Sequence, residues 1–213
     1  MYFSKADIKQ MGRVERLKLI NSLSGIKPAN LVGTISDSGE TNLAIISSVV
    51  HIGSLPPLLG FFMRPTGEIP RHTYQNIKAN GVFTINHVKT DFIEKAHYTS
   101  AKFDQETSEF DACRLTAQYL EDFKAPFVEE SAIKLGMELR EEIPIQVNGT
   151  ILIIGEIVHI HCPEHAFSDD NRLDLSKADG VGISGLNSYY SLEKMGSFPY
   201  ARVNEVPEFN KKN

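Results

Sequence analysis

Residues 143–161, IPIQVNGTILIIGEIVHIH, decide the fold. Asn148-Gly149 is the strongest of the short turn dipeptides, because both residues accept the positive φ of a tight hairpin. It joins PIQV to TILIIGEIVHIH, a long run rich in β-branched side chains, so the spacing predicts a hairpin with a long second arm. Gly155 inside that arm predicts a bulge or bend.

Outward from this hairpin, short strands recur. Asn30 to Ser36 (NLVGTIS) is β-rich, DSGE follows as a turn, and Asn42 to Val50 (NLAIISSVV) reads as the returning strand. Ser54 to Pro57 is a Pro-containing loop, Leu58 to Met63 (LLGFFM) an apolar strand, and Arg64 to Pro70 a loop. Arg71 to Ala79 reads as a short polar helix stopped at Gly81, with Val82 to Val88 as the next strand. Asp91 to Ser100 reads as helical, and Ala101 to Phe110 as a polar loop or short helix. Leu115 to Asp122 and Glu129 to Met137 have no clear period. Phe167 to Asp179 is loop-like, and Gly180 to Asn213 has scattered Gly, Ser and Tyr and a charged tail.

At the N-terminus, Ser4 to Ser22 predicts one amphipathic helix, with Met11, Val14, Leu17 and Ile20 poised to cover a barrel face or a partner subunit. Pro28 ends any continuation. No repeat or linker divides the chain, so residues 1–213 are expected to form one domain. Hairpin-joined strands with a few helices predict a mainly β fold, a closed or split barrel with helical additions. Strands alternating with long helices are missing, which speaks against a doubly wound parallel sheet.

The composition, 41% hydrophobic and 23% charged, is that of an ordinary globular protein. A net charge of -5 gives no general attraction to nucleic acid or to an anionic membrane. An anionic ligand must therefore meet a local cluster of positive groups. Cys113 and Cys162 form neither a disulfide framework nor a metal-ligand pattern. The N-terminal segment is broken by charges, and no apolar run reaches membrane-spanning length, so the cytoplasm is the expected location.

Four segments carry chemistry. The start of the 71–79 helix offers amides and a positive dipole end to an anion, with the Arg71 fork, the Thr73 hydroxyl and Asn76 one turn on. The other reading is a solvated surface helix. In NLAIISSVV, Ser47 and Ser48 face opposite ways, so one hydroxyl points inward and needs a partner, from a ligand or from the backbone. Arg64 closes the apolar LLGFFM strand, where it either reaches a cleft or is solvated. Ser100, Ala101 and Lys102 are small or cationic, which suits close approach to a ligand. His159, His161, Cys162 and His165 superficially resemble a ligand set, but no second group with ligand spacing accompanies them, so packing or surface roles are expected. There is no nucleophile elbow and no P-loop, and GVGISGLNSYY does not have a dinucleotide fingerprint's context.

In order, NLAIISSV, PPLLGFFMRP, RHTYQNIKANGVFTIN, YTSAKFD, SEFDACRLT, GTILIIGEIVHI and GLNSYY, spanning about Ala29 to Tyr190, resemble the flavin reductase-like family of FMN-binding split-barrel flavoproteins. The resemblance implies a six-stranded antiparallel split barrel of Greek-key type, and a homodimer with FMN near the subunit interface. By motif, Asn42, Leu43, Ala44, Ser47 and Ser48 would line the flavin, and Arg64, Arg71, Thr73 and Asn76 would hold the phosphate. Ser100, Ala101 and Lys102 would close over the cofactor, with Tyr190 covering it. Two positions depart from the family: Ile45 stands where proline is frequent, and His72 where an acidic residue is frequent. The implied activity is hydride transfer from NADH or NADPH to FMN, for a partner oxygenase or another small acceptor. A flavoredoxin-like carrier fed by a redox protein, and a non-redox barrel for another phosphorylated ligand, are the competing expectations. Hydride transfer between stacked rings needs no protein acid, base or nucleophile, which fits the missing catalytic motifs.

Overall fold

The computed structural model describes residues 1–65, 71–104 and 106–209. The expected hairpin is its longest feature: β9 (Lys134–Ile145) and β10 (Thr150–His161) pair antiparallel from Thr150↔Ile145 to His161↔Lys134. The register shifts at Ile154/Gly155, where a bulge was expected, and again at Ile157/His159. A Cβ on Gly155 would lie 2.6 Å from the Phe83 ring, so the missing side chain leaves room for that ring in the barrel. β9 begins in the segment without a clear period. Leu135, Gly136 and Met137 are all buried there, so the two-residue alternation is lost.

Two further hairpins precede it, β2 (Asn30–Ile35) with β3 (Thr41–Ile46), and β4 (Val50–Ser54) with β5 (Pro57–Met63). Helix α3 (His72–Asn80) follows, stopped by Gly81 at φ 70°, and then β6 (Val82–His87). These strands form one antiparallel sheet in the order β3-β2-β6-β9-β10-β5-β4. The two edge strands, β3 and β4, are consecutive in the chain. Four Cα steps from Ile46 to Val50 cover at most about 15 Å. The edges of a flat seven-stranded sheet would stand about 29 Å apart. The sheet must therefore roll until its edges face each other, unpaired, across a seam that the chain crosses at Ser47, Ser48 and Val49.

Two expectations are corrected here. The sheet has seven strands rather than six, because NLAIISSVV is not one strand: it leaves one edge at Ile46 and enters the other at Val50. The N-terminal segment is two helices, α1 (Lys5–Gln10) and α2 (Arg13–Leu23), broken at Met11-Gly12, and neither buries a residue on the barrel.

The barrel interior holds Val32, Phe61, Ile77, Phe83, Ile85 and Ile153. A second core lies outside β2 and β3. There Leu31, Leu43, Phe92, Ala96 and Phe110 gather from the sheet, from the turn at Thr90–Phe92, and from α4 (Ile93–Tyr98) and α5 (Glu109–Ala112). Because Leu31 faces one core and Val32 the other, β2 is buried on both faces. A small sheet, β1 (Lys27–Pro28), β11 (Val181–Ser184) and β12 (Ser188–Ser191), closes this side. The pair β7 (Ala117–Gln118) and β8 (Phe127–Val128) lies against β6, where Val128 N donates to Asn86 Oδ1 at 3.0 Å. Among the described residues, no helix is long and apolar enough to cross a membrane.

Candidate functional site

The residues singled out on β3 and α3 meet. Thr34, which has no motif to mark it, is their hub. It stands opposite Asn42 in the β2–β3 register, on the face that carries Val32. Its Oγ1 accepts Asn42 Nδ2 at 3.2 Å and Asn76 Nδ2 at 3.1 Å. Asn42 Nδ2 donates its other hydrogen to Thr73 Oγ1 at 3.0 Å. Thr34, Asn42, Thr73 and Asn76 are all buried. Both amide hydrogens of Asn42 are thus committed inward, which makes it a positioning residue. The Thr73 hydroxyl accepts from Asn42, so its own proton remains to be donated. A polar residue sharing a face with Val32 in the otherwise apolar LVGTI run is the signal that could have revealed Thr34.

Arg71 is the N-cap of α3, and it makes no side-chain capping bond. Its Nε is buried and has no hydrogen-bond partner among the described residues. A guanidinium N–H at a helix start, two residues from an oriented hydroxyl, is a donor set for an anion. Half-buried His72 begins the helix beside it. Arg64 is exposed at the end of β5. Of the loop expected over residues 64–70, residues 66–70 lie outside the described residues.

Along the edge strand, amides meet side chains in place of another strand. Leu43 N donates to Glu109 Oε2 at 2.8 Å, and Ile45 N to Thr99 Oγ1 at 3.0 Å. The alternate residues Asn42 and Ala44 turn their amides to β2. Leu43 itself packs in the outer core, and Ala44 is half-buried. The amides with no partner among the described residues are therefore those of Ser47, Ser48 and Val49, at the seam. The Ser48 hydroxyl accepts Phe62 N at 3.0 Å, and that of half-buried Ser47 makes no bond among the described residues. Burial raises the Glu109 carboxyl above its ordinary value, and the Leu43 amide partly offsets that.

Thr99 also anchors the segment after α4. Ser100, Ala101 and Lys102 are exposed there and so stand next to β3, with Ser100 Oγ donating to the His97 carbonyl at 2.7 Å. Tyr190 is exposed on β12, and its hydroxyl makes no hydrogen bond among the described residues. Its neighbour Tyr189 faces α4: its OH lies 2.9 Å from His97 Nδ1, and burial pushes it up to about 12. Thr99, Glu109 and the His97–Tyr189 pair were not singled out from sequence. His159 and His161 stack 6.4 Å apart, edge-on to Phe123 and Phe127, so packing accounts for them. No group of metal-holding residues exists among the described residues.

Residues 26–175 match a family model described as the flavin reductase like domain. Among solved structures, the chain resembles one described as a flavin reductase candidate with a split barrel domain, from Shewanella frigidimarina. The two are 48% identical, with 94% of this chain and 100% of that one covered and a TM-score of 0.90. Nitrilotriacetate monooxygenase component B from Bacillus cereus is 19% identical, with 93% and 98% covered and a TM-score of 0.81. Flavoredoxin from Desulfovibrio vulgaris is 24% identical, with 83% and 92% covered and a TM-score of 0.72. These last two likenesses speak to the fold alone.

Proposed function

We propose a function from one premise: this chain belongs to the flavin reductase-like family and has its split-barrel fold. The protein binds FMN and acts as an NAD(P)H-dependent flavin oxidoreductase, working as a homodimer with the flavin near the subunit interface. The observation that carries this reading is the buried Nε of Arg71 at the start of α3, which has no partner among the described residues. It supports a phosphate there, held by the guanidinium, the Thr73 hydroxyl and the helix N-terminus.

When bound, FMN supplies the two-electron chemistry, accepting a hydride from a nicotinamide. The chain's own residues bind and orient. Asn42 and Thr34 fix the Thr73 hydroxyl so that its proton points to the anion. Arg71, and Arg64 at the strand end, add the positive charge that a chain of net charge -5 otherwise lacks. The Ser47 and Ser48 amides at the seam are donors left for the polar edge of the ring, since those of Leu43 and Ile45 are committed. Ser100, Ala101 and Lys102 flank β3 and close over the site, with Tyr190 covering it.

The monooxygenase component among the similar folds supports reduced flavin passing to an oxygenase partner. The flavoredoxin likeness favours a second reading, an FMN carrier that takes its electrons from a protein. Anaerobic mixing of the FMN-loaded protein with NADH and with NADPH separates them. Bleaching of the flavin band by either nucleotide at a catalytically useful rate supports the reductase. A yellow protein inert to both is the carrier, and failure to bind FMN defeats both readings.

A further inference from the structure

Two segments leave one corner of this fold and bury none of their own residues on it. We infer that α2 and the tail at 192–209 are exchanged arms, each seated on a second copy of this chain. The inference deepens the homodimer reading above and rests on it.

The corner itself is well built. Lys27 Nζ donates to the carbonyls of Asn21 and Gly185, both at 3.2 Å, tying the end of α2 to the turn between β11 and β12. Gly182 has no side chain where Ile26 and Leu192 converge; a Cβ there would lie 2.3 Å from Ile26 Cγ2 and 3.3 Å from Leu192 Cδ2. Both arms are thus fixed at their roots; the tail adds one ion pair, Lys194 Nζ to Asp174 at 3.4 Å, and beyond it neither arm buries a described residue.

Helix α2 has 11 residues and buries none, and Val14, Leu17, Ile20 and Leu23 are exposed. A helix this short is marginal in water without a packed face. The tail is no solvated linker by composition. Met195, Phe198, Tyr200 and Val203 are each at least 86% exposed, and Val206 and Phe209 are exposed too. Solvated tails are poor in aromatic and branched apolar residues.

The surface area decides what covers the arms. The chain exposes 13831 Å². A folded monomer of 23.8 kDa should expose about 9,900 Å². The excess is about 4,000 Å² per chain, more than one partner contributes to an ordinary interface and at or above the share that each copy of an obligate homodimer buries. In a two-fold dimer each arm meets the same surface on the other copy, so one arrangement covers both excesses.

Sedimentation of the full chain, with hydrogen exchange read on α2 and the tail, tests this. The wild type should sediment at twice 23.8 kDa, with α2 and tail amides protected. Phe198→Asp with Tyr200→Asp lies outside the barrel core and should weaken self-association by about 100-fold while deprotecting α2. A wild-type monomer overturns both the dimer and its arms. A dimer that persists in the double variant, with tail amides exchanging freely, overturns the arms and leaves the dimer standing. FMN absorbance, read separately, tests the cofactor.

Discussion

Ser48 Oγ accepts the Phe62 N–H at 3.0 Å and lies 3.4 Å from the Phe62 carbonyl. On one side of β5, Phe62 pairs with Leu152 of β10. The β4–β5 pairing ends at Val50↔Gly60, so beyond it the side of β5 that faces the seam has no strand to pair with. One hydroxyl from the crossing linker stands in for that strand. Ser48→Ala should therefore destabilise the fold by about 0.5–1.5 kcal/mol, since water can partly replace a half-exposed bond. Urea unfolding measures this, and unchanged exchange of the Phe62 amide would count against the seam.

Thr34→Val keeps the shape of the buried hub and removes its oxygen. The Asn42 and Asn76 amides would each lose an acceptor inside the protein. The expected destabilisation is about 1–3 kcal/mol for each orphaned group. It should come with weaker FMN binding, because Thr73 loses its anchor. Equilibrium unfolding and flavin titration read the two effects separately.

Glu109 divides charge from hydrogen bonding. Glu109→Gln keeps an acceptor for Leu43 N and removes a carboxylate that burial disfavours, so stability at neutral pH should hold or rise. Glu109→Ala leaves the buried amide alone and should cost about 1–3 kcal/mol. Equal losses in both variants would show that the carboxylate charge itself stabilises the edge strand.

His87 sets an acid limit. Burial lowers its imidazole from 6.5 to about 4. Between those values the unfolded chain binds a proton that the folded chain refuses. This contribution is therefore intact above pH 6.5 and is lost as pH falls toward 4. The full loss is on the order of 3 kcal/mol. In His87→Gln the part of the acid slope in this window should vanish, as thermal melts across the window would reveal.

Local signals carried much of this architecture. Asn148-Gly149 marked the long hairpin, and Arg71 to Gly81 marked α3 within a residue at its ends. The seam was hidden because Ser47 to Val50 is as β-prone as the strand before it; only the sheet order reveals two edges. The start of β9 was hidden because burial on both faces erases alternation. At the site, Asn42, Thr73 and Asn76 were legible from motif order, and they meet. Their hub, Thr34, and the edge-capping Thr99 and Glu109 depend on contacts between distant segments, which no local pattern encodes. Of the two adjacent tyrosines, the sequence pointed to Tyr190, whereas Tyr189 is the one bonded to α4.

The most direct test of the phosphate site is a paired titration of wild type and Arg71→Ala with FMN and with riboflavin, which lacks the phosphate. Loss of the charge-assisted contact should weaken FMN by about 1.5–3 kcal/mol, roughly ten- to a hundredfold, and leave riboflavin nearly unchanged. Equal weakening of both ligands, or none of either, would contradict a phosphate held at Arg71.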